Sequence, residues 1–448
     1  MQKIQPANIF SHEILNFQVD TVKYGRVPYV NLDNAATTPP LLAVEKSVTE
    51  YLRGYGSVHR GSGYKSKIST DIYEESREVI KRFVKSPNDN YVLFTGNTTG
   101  AANTLAYFFA FLKGKVAVSS IEHSSSWLPW IKAEGAAALG GKQTDLNFMD
   151  DVSEKIQKLG RAQVLQYDVD NKFEFDMAAI EKLLRTEKIK ALVATASSNL
   201  TGYCPDIKEI GRLAHKYGAY FIVDACQYLQ HHAVNMREMG IDFLMASGHK
   251  FYAPYGGGFI VGPKYFFDSF LPYQIGGGNL PYITEEGEFL RYRNQLAHDP
   301  GTPNAVGAIA MARALQELDA LGLDKIHEYE HGLAKIAFDY LKSNAKIELY
   351  VKNKHLNTII PFNIKGMNSK AMAEKLNDEF GIGVRAGSFC VYHAIRKLLK
   401  RTDDKKVADS VRRGNTDAIP QIMRASFGLC NTKDDVKRFI NAIEQITK

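Results

Sequence analysis

Nowhere in the 448 residues do eighteen apolar residues run together, and the opening stretch "MQKIQPANIFSHEILNF" contains no uninterrupted apolar core. Neither a membrane span nor a secretory leader is expected. Cysteine is scarce. Cys204, Cys226, Cys390 and Cys430 lie far apart and form no C-x-x-C pair, which argues against a zinc or dithiol site and suits a reducing cytoplasm better than a disulfide framework. Charge of one sign is barely in excess: 56 basic and 49 acidic residues leave +7 with no long basic tract, so nucleic acid is not an expected partner. His231 and His232 are adjacent and do not share one helix face, and no metal site is expected. Internal repeats and low-complexity tracts are missing as well.

What is present points to a large α/β protein. With 45% hydrophobic residues the chain buries more than one core comfortably holds, so two domains are expected. Between about residues 90 and 265, β-rich runs alternate with helix-like segments, the pattern of parallel strands joined by crossover helices. The candidate strands are "NYVLFTG", "GKVAVSSIEH", "IKALVATASS", "GAYFIVDACQ", "IDFLMASGHK" and "GGGFIVG". In such sheets ligands bind at the carboxyl ends of strands, which brings Asn97 to Thr99, His123, Asn199, Asp224 and Lys250 toward one crevice. Past residue 265 the pattern changes. A long periodic helical stretch, 305–344, precedes "IELYV", "TIIPFNI" and "IGVRAG", which read as strands mixed with the helices "SKAMAEKLNDEF" and "TKDDVKRFINAIEQITK". The expected division is an N-terminal segment (1–30) packing on the small domain, a large domain (31–309) and a small α+β domain (310–448).

The stretch "LMASGHKFYAPYGGGF", 244–259, places Lys250 at the end of an apolar run, after Ser247, Gly248 and His249 and before three glycines. A free lysine amine, with a pKa of ~10.4, is a poor nucleophile, and a buried strand end favours its neutral form. A Schiff base to pyridoxal 5'-phosphate is the chemistry this suits, and it sets further requirements. For the phosphate, "LFTGNTTGAANTLAYFF" runs from strand to helix through Thr98 and Thr99, where hydroxyls meet a positive helix end, with Ser247 and His249 closing from the other side. For the pyridine nitrogen, Asp224 ends the apolar run "YFIVDACQ", where a carboxylate without a cation is costly. Gln227 lies three residues on, within reach of the ring's phenolic oxygen. His123 offers a flat ring for stacking and proton transfer.

These residues carry a resemblance. "SGHKFYAPYGGGF" after "VDACQ", with "NLDNAATTPP", "VHRGSG", "EHSSSWLPW" and "GTPN", is similar to the class V aminotransferase family, and within it to the cysteine desulfurase and selenocysteine lyase branch. The resemblance implies fold type I: a large domain with a mainly parallel seven-stranded sheet between helices, plus a smaller C-terminal α+β domain. It also implies a homodimer with active sites at the subunit interface. By position it makes Lys250 the Schiff-base lysine, Asp224 and Gln227 its ring partners, and His123 the stacked ring. Thr98 or Thr99, Ser247 and His249 fall on the phosphate, with Thr302 contributed by the partner subunit. Asn199 falls beside the cofactor oxygen and the substrate carboxylate, and His59 matches a position reaching into the neighbouring site. Arg385 and Arg424 match active-site arginines, Arg424 being the preferred carboxylate clamp.

Cys390, in "RAGSFC", occupies the place of the desulfurase nucleophile, which takes sulfur from L-cysteine as a persulfide and releases L-alanine. Arg385 or His393 nearby would raise its thiolate fraction. Two departures accompany it. Ala386, Gly387, Ser388 and Phe389 stand where desulfurases of this branch usually carry a threonine and two histidines, and a charged segment around 396–414 lengthens the path to Arg424. That segment is read as a solvated amphipathic helix, with docking of an acidic sulfur acceptor as the competing reading. The expectation is a pyridoxal-phosphate enzyme acting on L-cysteine or a close analogue. Its competitors are another enzyme of the family, with Cys390 incidental, and a scaffold in sulfur transfer.

Overall fold

A computed structural model describes residues 4–140, 149–352 and 356–448. The seven strands of the large sheet follow the spatial order Asn90–Thr95, Gly258–Pro263, Phe243–Ser247, Tyr220–Asp224, Ile189–Thr195, Lys115–Ser119 and Val164–Tyr167. Six of the seven were legible as β-branched apolar runs. The seventh, Val164–Tyr167, is an edge strand following directly on the helix Met149–Gln163, and a four-residue run in that position has too little pattern to stand out. Both faces of the sheet are covered, so central strands such as Ile189–Thr195 are buried at every residue instead of alternating.

One strand runs against the rest. Gly258–Pro263 pairs antiparallel with both of its neighbours. The cause is length: residues 248–257 are too few for a crossover helix, and they are spent on the turn that carries Lys250. The other pairs, from Phe243–Ser247 to Val164–Tyr167, are parallel, so their carboxyl ends line one edge.

The C-terminal sheet domain orders its strands Ile347–Leu349, Ile359–Ile364, Ile422–Ser426 and Arg385–Gly387, all antiparallel. Two readings of the sequence are divided here. The long helical stretch breaks at Gly322, whose φ of 87° suits glycine, into Ala305–Leu321 and Leu323–Ser343. "IGVRAG" is two strands: Ile382–Gly383 pairs parallel with Val30–Asn31, and Arg385–Gly387 pairs with Ile422–Ser426. The hairpin Gln18–Thr21/Gly25–Pro28 lies against the helix Ser369–Phe380, with Val22 N–H donating to the Asp378 carbonyl at 2.9 Å. Among the described residues no helix is long and apolar enough to cross a membrane.

Candidate active site

The parallel register sets Thr195 beside Asp224 and Asp224 beside Met245, so two strand ends stand together and the third strand ends two residues further on. Asp224 is 5% exposed. Its carboxylate accepts from the Ser126 hydroxyl and from the Cys226 N–H at 3.0 Å. Among the described residues, no lysine, arginine or histidine stands within ion-pair distance of it. A buried carboxylate left without a cation is costly, and Lys250 is close enough that both act on the same neighbours, His123 and Cys226.

Lys250 closes the short turn Gly248–Lys250 after the strand Phe243–Ser247. Its Nζ donates to the Ala35 carbonyl at 2.6 Å, and the Gln227 amide donates to the same oxygen. Burial pushes its pKa down to about 8, helped by Arg424 and Arg385 and opposed by Cys226 and Asp33. The neutral, nucleophilic form is therefore accessible near neutral pH. The neighbouring His249 imidazole is driven down to about 4, by burial first and by Lys250 second. It is a neutral ring at neutral pH, while its backbone carbonyl accepts from the Thr38 N–H at 2.9 Å.

Asn97 caps the helix Thr98–Phe109, its Oδ1 accepting from the Gly100 N–H at 3.0 Å. Ser247 Oγ accepts from the Thr98 N–H at 2.7 Å and lies 2.7 Å from the Thr98 hydroxyl. The Thr99 hydroxyl is 2.7 Å from that of Ser125. Gly258 makes this approach possible, because a Cβ there would sit 2.7 Å from the Asn97 backbone. His123 precedes a serine run in which each residue holds a different part of the site. Ser125 N–H donates to His123 Nδ1 at 3.1 Å, Ser126 holds Asp224, and Ser124 holds the Cys390 carbonyl. Burial depresses the His123 pKa; Asp224 opposes the shift, and Lys250, Arg385 and Arg424 reinforce it.

Arg424, on the strand Ile422–Ser426, is 1% exposed. It donates to the Asn199 carbonyl at 2.7 Å and to Asp33 Oδ1 at 2.8 Å, its Cζ lies 4.5 Å from the Phe389 ring centroid, and its Nε has no partner among the described residues. Arg385 is half-exposed and reaches the same Asp33 at 4.0 Å. Cys390 follows Phe389, and Asn199 Nδ2 donates to the Phe389 carbonyl at 2.9 Å.

His59 and Thr302 are not brought to this crevice. His59 pairs with Glu74 at 2.9 Å and packs edge-on against Tyr73, and Thr302 is exposed. Arg60 ties the two segments together, donating to the carbonyls of Gly277 and Gly301. His59, Glu74 and Asp299 present donor atoms within 4.8 Å of one another, as metal ligands do. Arg77, wholly buried, already supplies the positive charge there, its guanidinium donating to Glu74 at 3.2 Å and to Asp299.

Comparison with known proteins now places the chain. The Aminotransferase class-V profile matches residues 30–145 and 151–439. The chain belongs to the aminotransferase class-V family. The probable cysteine desulfurase of Halalkalibacterium halodurans is 31% identical over 443 residues, 97% of each chain, and that of Pyrococcus abyssi is 30% identical over 435 residues, 94% of each. Among solved structures, the apo cysteine desulfurase of Thermococcus onnurineus is similar with a TM-score of 0.77 at 28% identity, covering 94% of both chains. A cysteine desulfurase from Escherichia coli is similar with a TM-score of 0.75 at 25% identity, covering 93% of this chain and 94% of that one.

In this class-V chain, sequence reasoning passed over three participants. Glu122 is fully buried with its pKa raised to about 8 by desolvation; Ser119 and the Thr195 N–H donate to one oxygen at 2.6 Å each, and the other oxygen has no partner. Burial favours its neutral acid form, and Asp224 nearby pushes the same way. Its adjacency to His123 was the only available signal. Asp33 lay inside the quoted "NLDNAATTPP" but bonds Arg424 across 391 positions of chain. The Ala35 carbonyl shared by Lys250 and Gln227 is a backbone atom, which no side-chain pattern reveals.

Proposed function

We propose that this chain is a pyridoxal-5'-phosphate-dependent cysteine desulfurase, transferring the sulfur of L-cysteine to Cys390 and releasing L-alanine. The observation that carries the reading is the pairing, at adjacent strand ends, of a half-buried amine whose pKa desolvation lowers and a buried carboxylate without a cation among the described residues. The donor set fits the cofactor. Lys250 suits its aldehyde, Asp224 a protonated ring nitrogen, and the hydroxyls of Thr98, Thr99 and Ser247, with His249, its phosphate. Gln227 lies beside Lys250 for the phenolic oxygen, and His123 supplies the ring to stack. When bound, pyridoxal phosphate supplies an electron sink for charge developing at the substrate carbon.

The chain's own residues divide the remaining work. Arg424 grips the α-carboxylate, with Arg385 and Asn199 beside it, and Asp33 is the resident carboxylate the substrate replaces. The Lys250 amine removes the proton from the substrate Cα. Cys390 Sγ then bonds to the substrate sulfur as the Cβ–S bond breaks. The electron pair stays with the alanine carbons; the proton shed by the Cys390 thiol goes to Cβ with the help of His123, and Lys250 returns its proton to Cα. A thiol acceptor, protein or small molecule, must afterwards take the sulfur.

A homodimer belongs to this proposal, with His59 and Thr302 serving the neighbouring site. Support comes from their distance from the chain's own crevice and from the exposed apolar tip Tyr282, Ile283, Phe289 and Leu290. Four free cysteines support a cytoplasmic setting.

The test is a substrate screen on the yellow holoprotein recording alanine, sulfide and keto-acid products together. Alanine and sulfide from L-cysteine are expected, and Cys390→Ser should abolish alanine release. Undiminished alanine from Cys390→Ser, or keto acid as the main product of another amino acid, overturns the reading.

A further inference from the structure

Phe389 and Cys390 are consecutive residues in the left-handed region, at φ 51° and 56°. Residues with a Cβ enter that region at a cost and normally singly, and a bulky phenylalanine is a poor candidate for it. Such pairs persist only where the surroundings over-determine them, and strain of this kind gathers at functional sites. Three donors hold this pair. Asn199 Nδ2 donates to the Phe389 carbonyl at 2.9 Å, and Ser124 donates twice to the Cys390 carbonyl, through its N–H and its hydroxyl, at 2.8 Å each. Above the turn, Arg424 lies over the Phe389 ring and donates to the carbonyl of the same Asn199.

We infer that Asn199 and Ser124 are positioning residues for the Cys390 thiol, holding the Phe389–Cys390 turn in its left-handed form. Asn199 further ties that turn to the guanidinium that grips the substrate carboxylate. The inference rests on the reading of Cys390 as the sulfur acceptor. Its content is separable, because the two side chains bond backbone carbonyls of the turn and not reacting atoms. Their loss should slow the one step in which Cys390 Sγ bonds to the substrate sulfur and Cβ–S breaks. Substrate capture should persist in the Ser124 variants, since Ser124 has no part in gripping the substrate carboxylate.

The test uses the holoenzyme and its Asn199→Ala, Ser124→Ala and Ser124→Thr variants. Single-turnover persulfide formation on Cys390 is followed by mass spectrometry, beside the cysteine-induced change in the cofactor's visible absorbance and KM. Asn199→Ala should slow persulfide formation about tenfold, the equivalent of about 1.4 kcal/mol of turn preference. Ser124→Ala, keeping its N–H bond, should lose several-fold, and Ser124→Thr should recover most of it. In the Ser124 variants the absorbance change and KM should stay within about twofold; Asn199→Ala, which also removes a group beside the substrate carboxylate, is read by its single-turnover persulfide rate at saturating cysteine. An unchanged persulfide rate in both alanine variants overturns the inference, as does an absorbance change in Ser124→Ala that falls in step with persulfide. Alanine release by Cys390→Ser would instead remove the parent reading, whatever these variants do.

Discussion

Replacing Asp224 with asparagine should change the stability of the protein with opposite sign in its cofactor-free and cofactor-bound forms. In the cofactor-free protein the carboxylate is buried, with the Ser126 hydroxyl and the Cys226 N–H as its donors. Asparagine keeps an oxygen for Cys226 and turns an amide toward the Ser126 oxygen, so neither contact need be lost. The variant is relieved of a buried charge whose effective desolvation costs several kcal/mol. Against that, each of the two bonds loses roughly 1 kcal/mol on passing from charge-assisted to neutral. The net expectation is an apoprotein more stable by about 1–3 kcal/mol. With pyridoxal phosphate bound the carboxylate faces a pyridinium, and removing one partner of a buried pair costs about 3–5 kcal/mol. The difference between the two changes, about 4–8 kcal/mol, sets the loss of cofactor affinity, roughly 10³- to 10⁶-fold. Urea unfolding of hydroxylamine-treated protein measures the first quantity, and titration of the visible band measures the second. If the variant is destabilised equally in both forms, Asp224 is an ordinary strand-end carboxylate and the argument from its missing cation fails.

Three further outcomes are expected. The Lys250 pKa is lowered from 10.5 to about 8, so between those values the unfolded chain binds the extra proton; apoprotein stability should rise with pH across that window, and Lys250→Met should flatten the rise in paired denaturation curves. Arg77→Met strands buried Asp299 and should cost about 3–5 kcal/mol in urea unfolding, with Asp299→Leu added to it recovering a large part. Gly258→Ala forces a Cβ to 2.7 Å from the Asn97 backbone; a loss of about 1–3 kcal/mol and weaker cofactor binding should appear together, and an unchanged midpoint would show the turn to be pliable.

The large sheet was readable because its strands are fully buried and rich in β-branched residues, and because polar residues at their ends interrupt apolar runs. Lys250, Asp224 and His123 announced themselves that way. The direction of Gly258–Pro263 was not read, since it depends on the length of a connection and not on the strand's composition. Glu122 and Asp33 act through partners remote in sequence, and their meaning arises only when the Ile189–Thr195 and Ile422–Ser426 strands are placed. Asn199 illustrates a different limit. Its identity is visible in the sequence, but the choice of the Phe389 carbonyl for its amide is a tertiary fact.

The octapeptide 119–126 touches the end of a central strand, the helix-start turn, the buried Asp224 and the Phe389–Cys390 turn within a few residues. Sites that share neighbours so densely do not combine additively. Transplanting the whole segment from a relative should therefore be tolerated where swapping its members one by one is not, and divergence at Ser124, Ser125 and Ser126 is expected to proceed in concert.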